Sequence, residues 1–115
     1  TAGRRVLVVA AGDLAHVGPT FGDARPLDTA AREQLRTADK DLLRVLASGD
    51  AAGFLSVLRR EQDGRCICGL PPIYMALRLL GASLGEVTGY DQCPADEQSG
   101  AVVSVAGVLL RPPAR

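Results

Sequence analysis

Apolar residues follow two periodicities along this chain, one typical of strands and one typical of helices. The first feature is a continuous apolar run at 6–11, which ends at Gly12-Asp13. A valine-rich run of this length is typical of a strand that is buried on both faces. We therefore expect a central strand over about 4–11. The polar segment 12–18 would then lie at its carboxyl end, where open α/β sheets bind ligands.

Helical periodicity dominates the middle of the chain. From Asp28, a favourable N-cap, apolar residues recur at three- and four-residue spacing. Thr37 offers a second cap, so the pattern is compatible with one helix or with two. Ser48-Gly49-Asp50 ends this region and caps another helix, and a third begins at Pro71-Pro72. Most of the charged residues along 32–44 are expected to form a solvated helix face.

Strand periodicity returns near the end of the chain, over about 86–92 and 101–110. The second strand is apolar on both faces and is expected to be central in its sheet. Residues 1–110 are predicted to form a single α/β domain, a three-layer-like sheet with helices packed on it, and 111–115 a loose tail. Few helices are available to cover these strands. The pattern therefore predicts half of a larger layer structure, or a protomer that pairs with a partner.

Composition narrows the classes of function. The 115 residues carry 13 basic and 13 acidic side chains, so the excess of positive charge that nucleic-acid binding requires is missing. No apolar run reaches the ~18 residues of a membrane span, and no signal-peptide pattern is present. The odd count of 3 cysteines predicts reduced thiols in a cytoplasmic protein. Abundant alanine and arginine with scarce lysine indicate a bacterial source.

Two residues of the polar segment are candidates for chemistry. Asp13 and His16, the only histidine, are three positions apart after the first predicted strand. A carboxylate there can orient an imidazole that acts as a metal ligand or as a general acid/base. The alternative is an aspartate that caps a turn beside a partly exposed loop histidine. The spacing alone does not separate these two hypotheses.

The cysteines give a third candidate. Cys68 precedes a helix that begins with proline, and the positive end of the helix dipole favours the thiolate that binds metals or attacks electrophiles. The alternative is a buried structural cysteine. In a strand-like stretch, Cys66 and Cys68 would point to opposite faces, which disfavours joint chelation, so Cys66 is expected to pack. Cys93 is expected to be a loop residue without a role.

Three segments together resemble one known family. Residues 11–18, 66–73 and 102–107 occur in the order and spacing of the Memo family, whose bacterial members are called AmmeMemoRadiSam system protein B. Tyr90-Asp91-Gln92 before the last strand is also similar. The resemblance implies the C-terminal half of a Memo domain, whose fold is similar to that of class III extradiol dioxygenases. Those proteins are non-haem iron enzymes.

The resemblance also implies a metal site. It suggests iron or copper as the cofactor, Cys68 as the cysteine ligand, His16 as a ligand or acid/base, and Asp13 as the group that orients His16. The family's two histidine ligands lie in upstream segments that nothing in this sequence matches. At most, we expect a metal-dependent oxidoreductase of the dioxygenase-like type. The expected partner is the missing N-terminal half or another copy of the chain.

Two further hypotheses stand beside the metal site. One is a non-catalytic module that binds a protein or peptide in the same cleft. The other is a structural fragment that supports a partner chain. No residue of the sequence indicates a substrate.

Overall fold

The computed structural model describes residues 3–98 and 100–113. The elements in chain order are β1 (His16–Val17), a 3-10 turn (Pro19–Phe21), α1 (Thr29–Ala47), α2 (Ala51–Arg60), α3 (Leu70–Leu80), β2 (Leu84–Pro94) and β3 (Val102–Arg111). The three strands form one antiparallel sheet in the order β1-β3-β2. The predicted α/β class is confirmed, as a three-stranded sheet with three helices.

The helices begin where the capping residues predicted. The carboxylate of Asp28 accepts the N–H of Ala31 at 2.7 Å, and that of Asp50 accepts the N–H of Gly53 at 2.8 Å. Each bond satisfies a donor that the first turn of a helix leaves without a partner. Thr37 does not divide the first helix, because α1 is a single helix of 19 residues that includes Thr37.

The core lies between the helices and the face of β3 that carries Val102. Its largest fully buried apolar side chains come from all three helices and from β3: Leu42, Leu43, Phe54, Leu58, Leu77 and Val102. Since alternate residues of a strand share a face, Ser104 and Val108 lie on the same side as Val102. Val108 packs against the core cluster, and Ser104 is buried. Helix α1 thus packs on β2 and β3, and α2 packs against α1 and α3.

The C-terminal strands match the sequence pattern. The predicted segments 86–92 and 101–110 form the antiparallel pair β2 and β3, and β3 is the central strand, as expected. Cys93 lies in β2 and not in a loop, so that prediction is wrong. Arg111 is the last residue of β3 and not part of a tail, because it pairs with Leu84. The rest of the predicted tail includes 114–115, which lie outside the described residues.

The predicted central strand over 4–11 is wrong. No strand is present there, and Val6, Leu7 and Val9 are 58%, 86% and 74% exposed. One side of the run borders an apolar groove of about 310 Å³ that α3 and β3 also line. A run that is apolar on both sides needs neighbours on both sides to be buried. Among the described residues, only the groove side has them.

The first predicted site segment therefore follows an irregular stretch, and not the end of a parallel strand. The strand begins only at His16, which pairs with Val103 of β3. No helix within the described part of the chain is long and apolar enough to cross a membrane.

Candidate metal centre

Asp13, His16 and Cys68 converge at one place on the surface. One ligand atom of each, a carboxylate oxygen, an imidazole nitrogen and the thiol sulfur, lies within 4.8 Å of the other two. Asp13 and Cys68 are exposed and His16 is partly buried. Asp13 and Cys68 are 55 positions apart in sequence, so only the fold brings them together. The predicted proximity of the His16 segment and the Cys68 thiol is confirmed.

Two glycines allow the backbones of the site to touch. A Cβ atom on Gly12 would lie 2.7 Å from the Cα of Gly69, and one on Gly69 would lie 2.6 Å from the carbonyl oxygen of Asp13. Real Cβ atoms do not approach backbone so closely. The N–H of Gly69 donates to that same carbonyl at 2.9 Å. The missing side chains of Gly12 and Gly69 therefore allow the Asp13 backbone to lie against the connection that carries Cys68.

The sulfur of Cys68 receives a backbone hydrogen bond across this contact. The N–H of Asp13 donates to Sγ at 3.2 Å, and Sγ lies 3.6 Å from the carbonyl oxygen of Asp13. A metal-bound thiolate commonly accepts N–H donors of this kind. Cys68 lies one residue before Gly69, the N-cap of α3, as the sequence predicted. The thiol is exposed, so the alternative of a buried structural cysteine is wrong.

The ring of His16 is fixed through Nδ1. This atom lies 3.1 Å from the carbonyl oxygen of Leu14 and 3.0 Å from that of Cys66. A carbonyl only accepts hydrogen bonds, so Nδ1 carries the hydrogen and the neutral ring has its lone pair on Nε2. Metal-binding histidines are typically oriented by such a bond to a carbonyl. Nε2 is therefore the nitrogen that can bind a metal or exchange a proton.

The orienting role predicted for Asp13 belongs to these two carbonyls. Within the described residues, no hydrogen bond joins the carboxylate of Asp13 to the imidazole of His16. Its carboxylate remains available at the surface as a ligand or proton acceptor. Cys66, which was expected to pack, is exposed and contributes its carbonyl, because it is not in a strand.

Phe21 covers one side of the His16 ring. The two ring centroids are 5.2 Å apart and the planes are perpendicular. Phe21 ends the 3-10 turn after Gly18, whose N–H donates to Asp23 Oδ2 at 2.7 Å. Sequence analysis did not identify Phe21. Gly18-Pro19 indicated a turn but not the direction in which it points the aromatic ring.

The donor set fits a transition metal. A thiolate and an imidazole suit iron, copper or zinc better than magnesium or calcium, which prefer oxygen. Three protein ligands also leave positions for water, a substrate or a further ligand. These positions are what a catalytic metal needs and a closed structural site lacks.

A hydrogen-bonded group of polar side chains surrounds the buried residues Asp39 and Arg65. Arg65 donates from Nη1 to Asp39 at 2.6 Å, and from Nε and Nη2 to Glu61 at 2.8 and 2.7 Å. Tyr90 donates its hydroxyl to the other oxygen of Asp39 at 2.6 Å. Gln92 completes the group, donating to the hydroxyl of Tyr90 at 3.2 Å. We refer to these five residues as the Asp39 network.

Burial and hydrogen bonding shift two pKa values in the Asp39 network. Burial alone would lower the pKa of Arg65, but hydrogen bonds and charges of Glu61 and Asp39 outweigh it and raise the pKa. Burial, followed by the hydrogen bond to Asp39, raises the pKa of Tyr90 to about 12. Asp39 is fully buried, so it is an exception to the solvated face predicted for most charged residues along 32–44. Its place on the apolar stripe, four residues after Leu35, was the available signal.

Comparison with known proteins agrees with the resemblance of the sequence. The family model for Memo-like protein matches residues 2–109, a range that includes Asp13, His16, Cys68 and the Asp39 network. A search of curated proteins finds no match, and a search of solved structures finds none. The family match extends over nearly the whole chain. The chain therefore belongs to the Memo-like protein family.

Proposed function

We propose that this chain binds a redox metal, iron or copper, through Cys68 and His16. Asp13 is the third ligand or the acid/base beside them. The observation that supports this function is the convergence of a thiol, an imidazole and a carboxylate within 4.8 Å. The hydrogen-bonded Nδ1 of His16 adds to it, because it leaves one defined nitrogen for the metal.

The chemical roles follow from the donor types. Cys68 supplies a soft ligand and His16 a borderline one, the combination that suits iron or copper. The metal would supply one-electron or oxygen chemistry of the dioxygenase-like type. Asp13 is exposed beside it and can accept a proton from a bound substrate. His16 binds or moves protons at Nε2 only, since the Nδ1 hydrogen is shared by two carbonyls.

We also propose that the chain corresponds to the C-terminal half of a Memo-type domain such as that of AmmeMemoRadiSam system protein B. The three matching segments and their order support this assignment. The exposed run at 6–9 supports a further polypeptide on that side, either an N-terminal half or a second copy of the chain. Such a polypeptide would supply the remaining metal ligands and part of the substrate cleft.

Metal titration of the purified chain tests the ligand assignment. Fe²⁺ without oxygen and Cu²⁺ are added separately, and bound metal is measured by mass spectrometry and by competition with a chelator. We expect one ion per chain, and at least tenfold weaker binding in Cys68→Ser, in line with the loss of a direct ligand.

Cys93→Ser provides a matched control. It removes another exposed thiol that lies outside the cluster, and it should bind metal like the wild type. Equal metal binding in Cys68→Ser and Cys93→Ser would refute the assignment. A peptide ligand whose binding ignores chelators would instead favour the non-catalytic module.

A further inference from the structure

The connection between α2 and α3, residues 61–69, has an unusual backbone. We call it the thiol loop, since it carries Cys68. Three of its non-glycine residues have positive φ angles: Gln62 at 53°, Asp63 at 53° and Cys66 at 50°. Such conformations are uncommon outside glycine and persist only where the surroundings enforce them. Something in the structure must therefore hold the thiol loop in this shape.

The side chain of Arg65 is the anchor of the thiol loop. It is 8% exposed and its guanidinium forms three hydrogen bonds, two to Glu61 at the start of the loop and one to Asp39 of α1. Asp39 is held in turn by the hydroxyl of Tyr90 in β2. The planar fork of an arginine fits this arrangement of two carboxylates, and a lysine does not. The loop is thus attached to a helix and to the sheet.

The backbone of the same residue contacts the metal centre. The carbonyl of Arg65 accepts the N–H of His16 at 2.8 Å, and the next carbonyl, that of Cys66, accepts Nδ1 at 3.0 Å. Cys66 is the residue whose positive φ sets the direction of that carbonyl. Cys68 follows two residues later. One short stretch of backbone therefore positions both the imidazole and the thiol.

We propose that Arg65, Asp39 and Tyr90 are positioning residues of the metal centre. By anchoring the thiol loop, they hold the Cys66 carbonyl on Nδ1 of His16 and keep the imidazole beside the sulfur of Cys68. Within the described residues, no hydrogen bond or ion pair joins the side chain of any of the three to Asp13, His16 or Cys68. This inference rests on the proposed function, because it assigns these residues to the same site.

The variant that tests this is Arg65→Lys, which keeps the charge and removes the fork. His16 is the only histidine, so its imidazole ¹⁵N resonances report the tautomer without ambiguity. In the metal-free wild type we expect the Nδ1–H form. In Arg65→Lys we expect a mixture of both tautomers, measured where circular dichroism shows that the protein is fully folded. A role in stability alone would leave the tautomer of the folded protein unchanged.

Affinity for Co²⁺, followed through its thiolate absorption, is the second measurement. We expect a loss of tenfold or more in Arg65→Lys, the usual range for groups that orient a ligand. The control is Arg59→Lys, the same exchange at an exposed arginine of α2, which should change neither measurement. Tyr90→Phe, which removes one hydrogen bond, should show a smaller change of the same kind and serves if Arg65→Lys does not fold.

The two proposals fail in different ways. If neither Fe²⁺ nor Cu²⁺ binds the wild type, the proposed function is wrong, and the tautomer still decides whether Arg65 positions His16. If folded Arg65→Lys and Tyr90→Phe both keep the wild-type tautomer, the positioning role is overturned, whatever the affinity for the metal.

Discussion

The thiol loop and the apolar run at 6–11 lead to the same site and are built in opposite ways. The loop is polar and strained, yet it is fixed by the buried ion pair of Arg65 with Asp39. The run is apolar and unstrained, yet most of it is exposed. The difference teaches that burial depends on available neighbours as much as on polarity. The charged segment finds its partners within this chain, and the apolar segment finds them only on one side.

The strongest test of this contrast is the loss of Asp39. Asp39→Ala removes the acceptor of two donors, Nη1 of Arg65 and the hydroxyl of Tyr90, while Arg65 keeps its bonds to Glu61. Each donor left without a partner costs about 1–3 kcal/mol. Leu7→Ala removes a larger apolar side chain, but one that is 86% exposed, and should change stability by less than about 0.5 kcal/mol. Urea unfolding measures both. A larger loss in Leu7→Ala would reverse the comparison.

A second test acts on the close contact between the two segments. In Gly69→Ala the new Cβ meets the backbone oxygen of Asp13, so we expect a loss of about 1–3 kcal/mol, as for other overpacked sites, together with weaker metal binding. Gly89→Ala is the matched control, because nothing lies within 4 Å of a Cβ there. The same unfolding and metal titrations apply. A well-tolerated Gly69→Ala would show that the contact does not hold Cys68.

The third and smallest effect is on pH dependence. The pKa of Tyr90 is raised from its usual 10.0 to about 12, so the folded state holds this proton more tightly than the unfolded chain does. Its contribution to stability is complete below pH 10 and is lost as pH rises towards 12. Unfolding measured across this window should show a steeper fall for the wild type than for Tyr90→Phe. Parallel curves would mean that the Tyr90 hydroxyl does not stabilise the Asp39 network.

Local signals in the sequence predicted local structure well. Asp28 and Asp50 cap the helices that they were expected to cap, because a cap depends on only the next three residues. The two C-terminal strands were also predicted, because their alternation reflects a pairing between neighbouring segments. The resemblance of three short motifs to one family brought Cys68 together with His16, which no local rule does.

The sequence patterns did not predict contacts between residues that are far apart in the chain. The place of Asp39 on the apolar stripe of α1 indicates that it is buried, but it does not identify Arg65, 26 positions later, as its partner. The role expected of Asp13 in orienting His16 belongs to carbonyls, and every residue has a carbonyl, so no side-chain pattern marks the ones that matter. The position of the Phe21 ring depends on the direction of a turn. The burial of the run at 6–11 depends on neighbouring residues that its own periodicity does not reveal.

The double hydrogen bond at Nδ1 of His16 fixes the direction from which the imidazole can be approached. Turning the ring over would break both bonds to the carbonyls, so any group that uses the lone pair has to arrive on the Nε2 side.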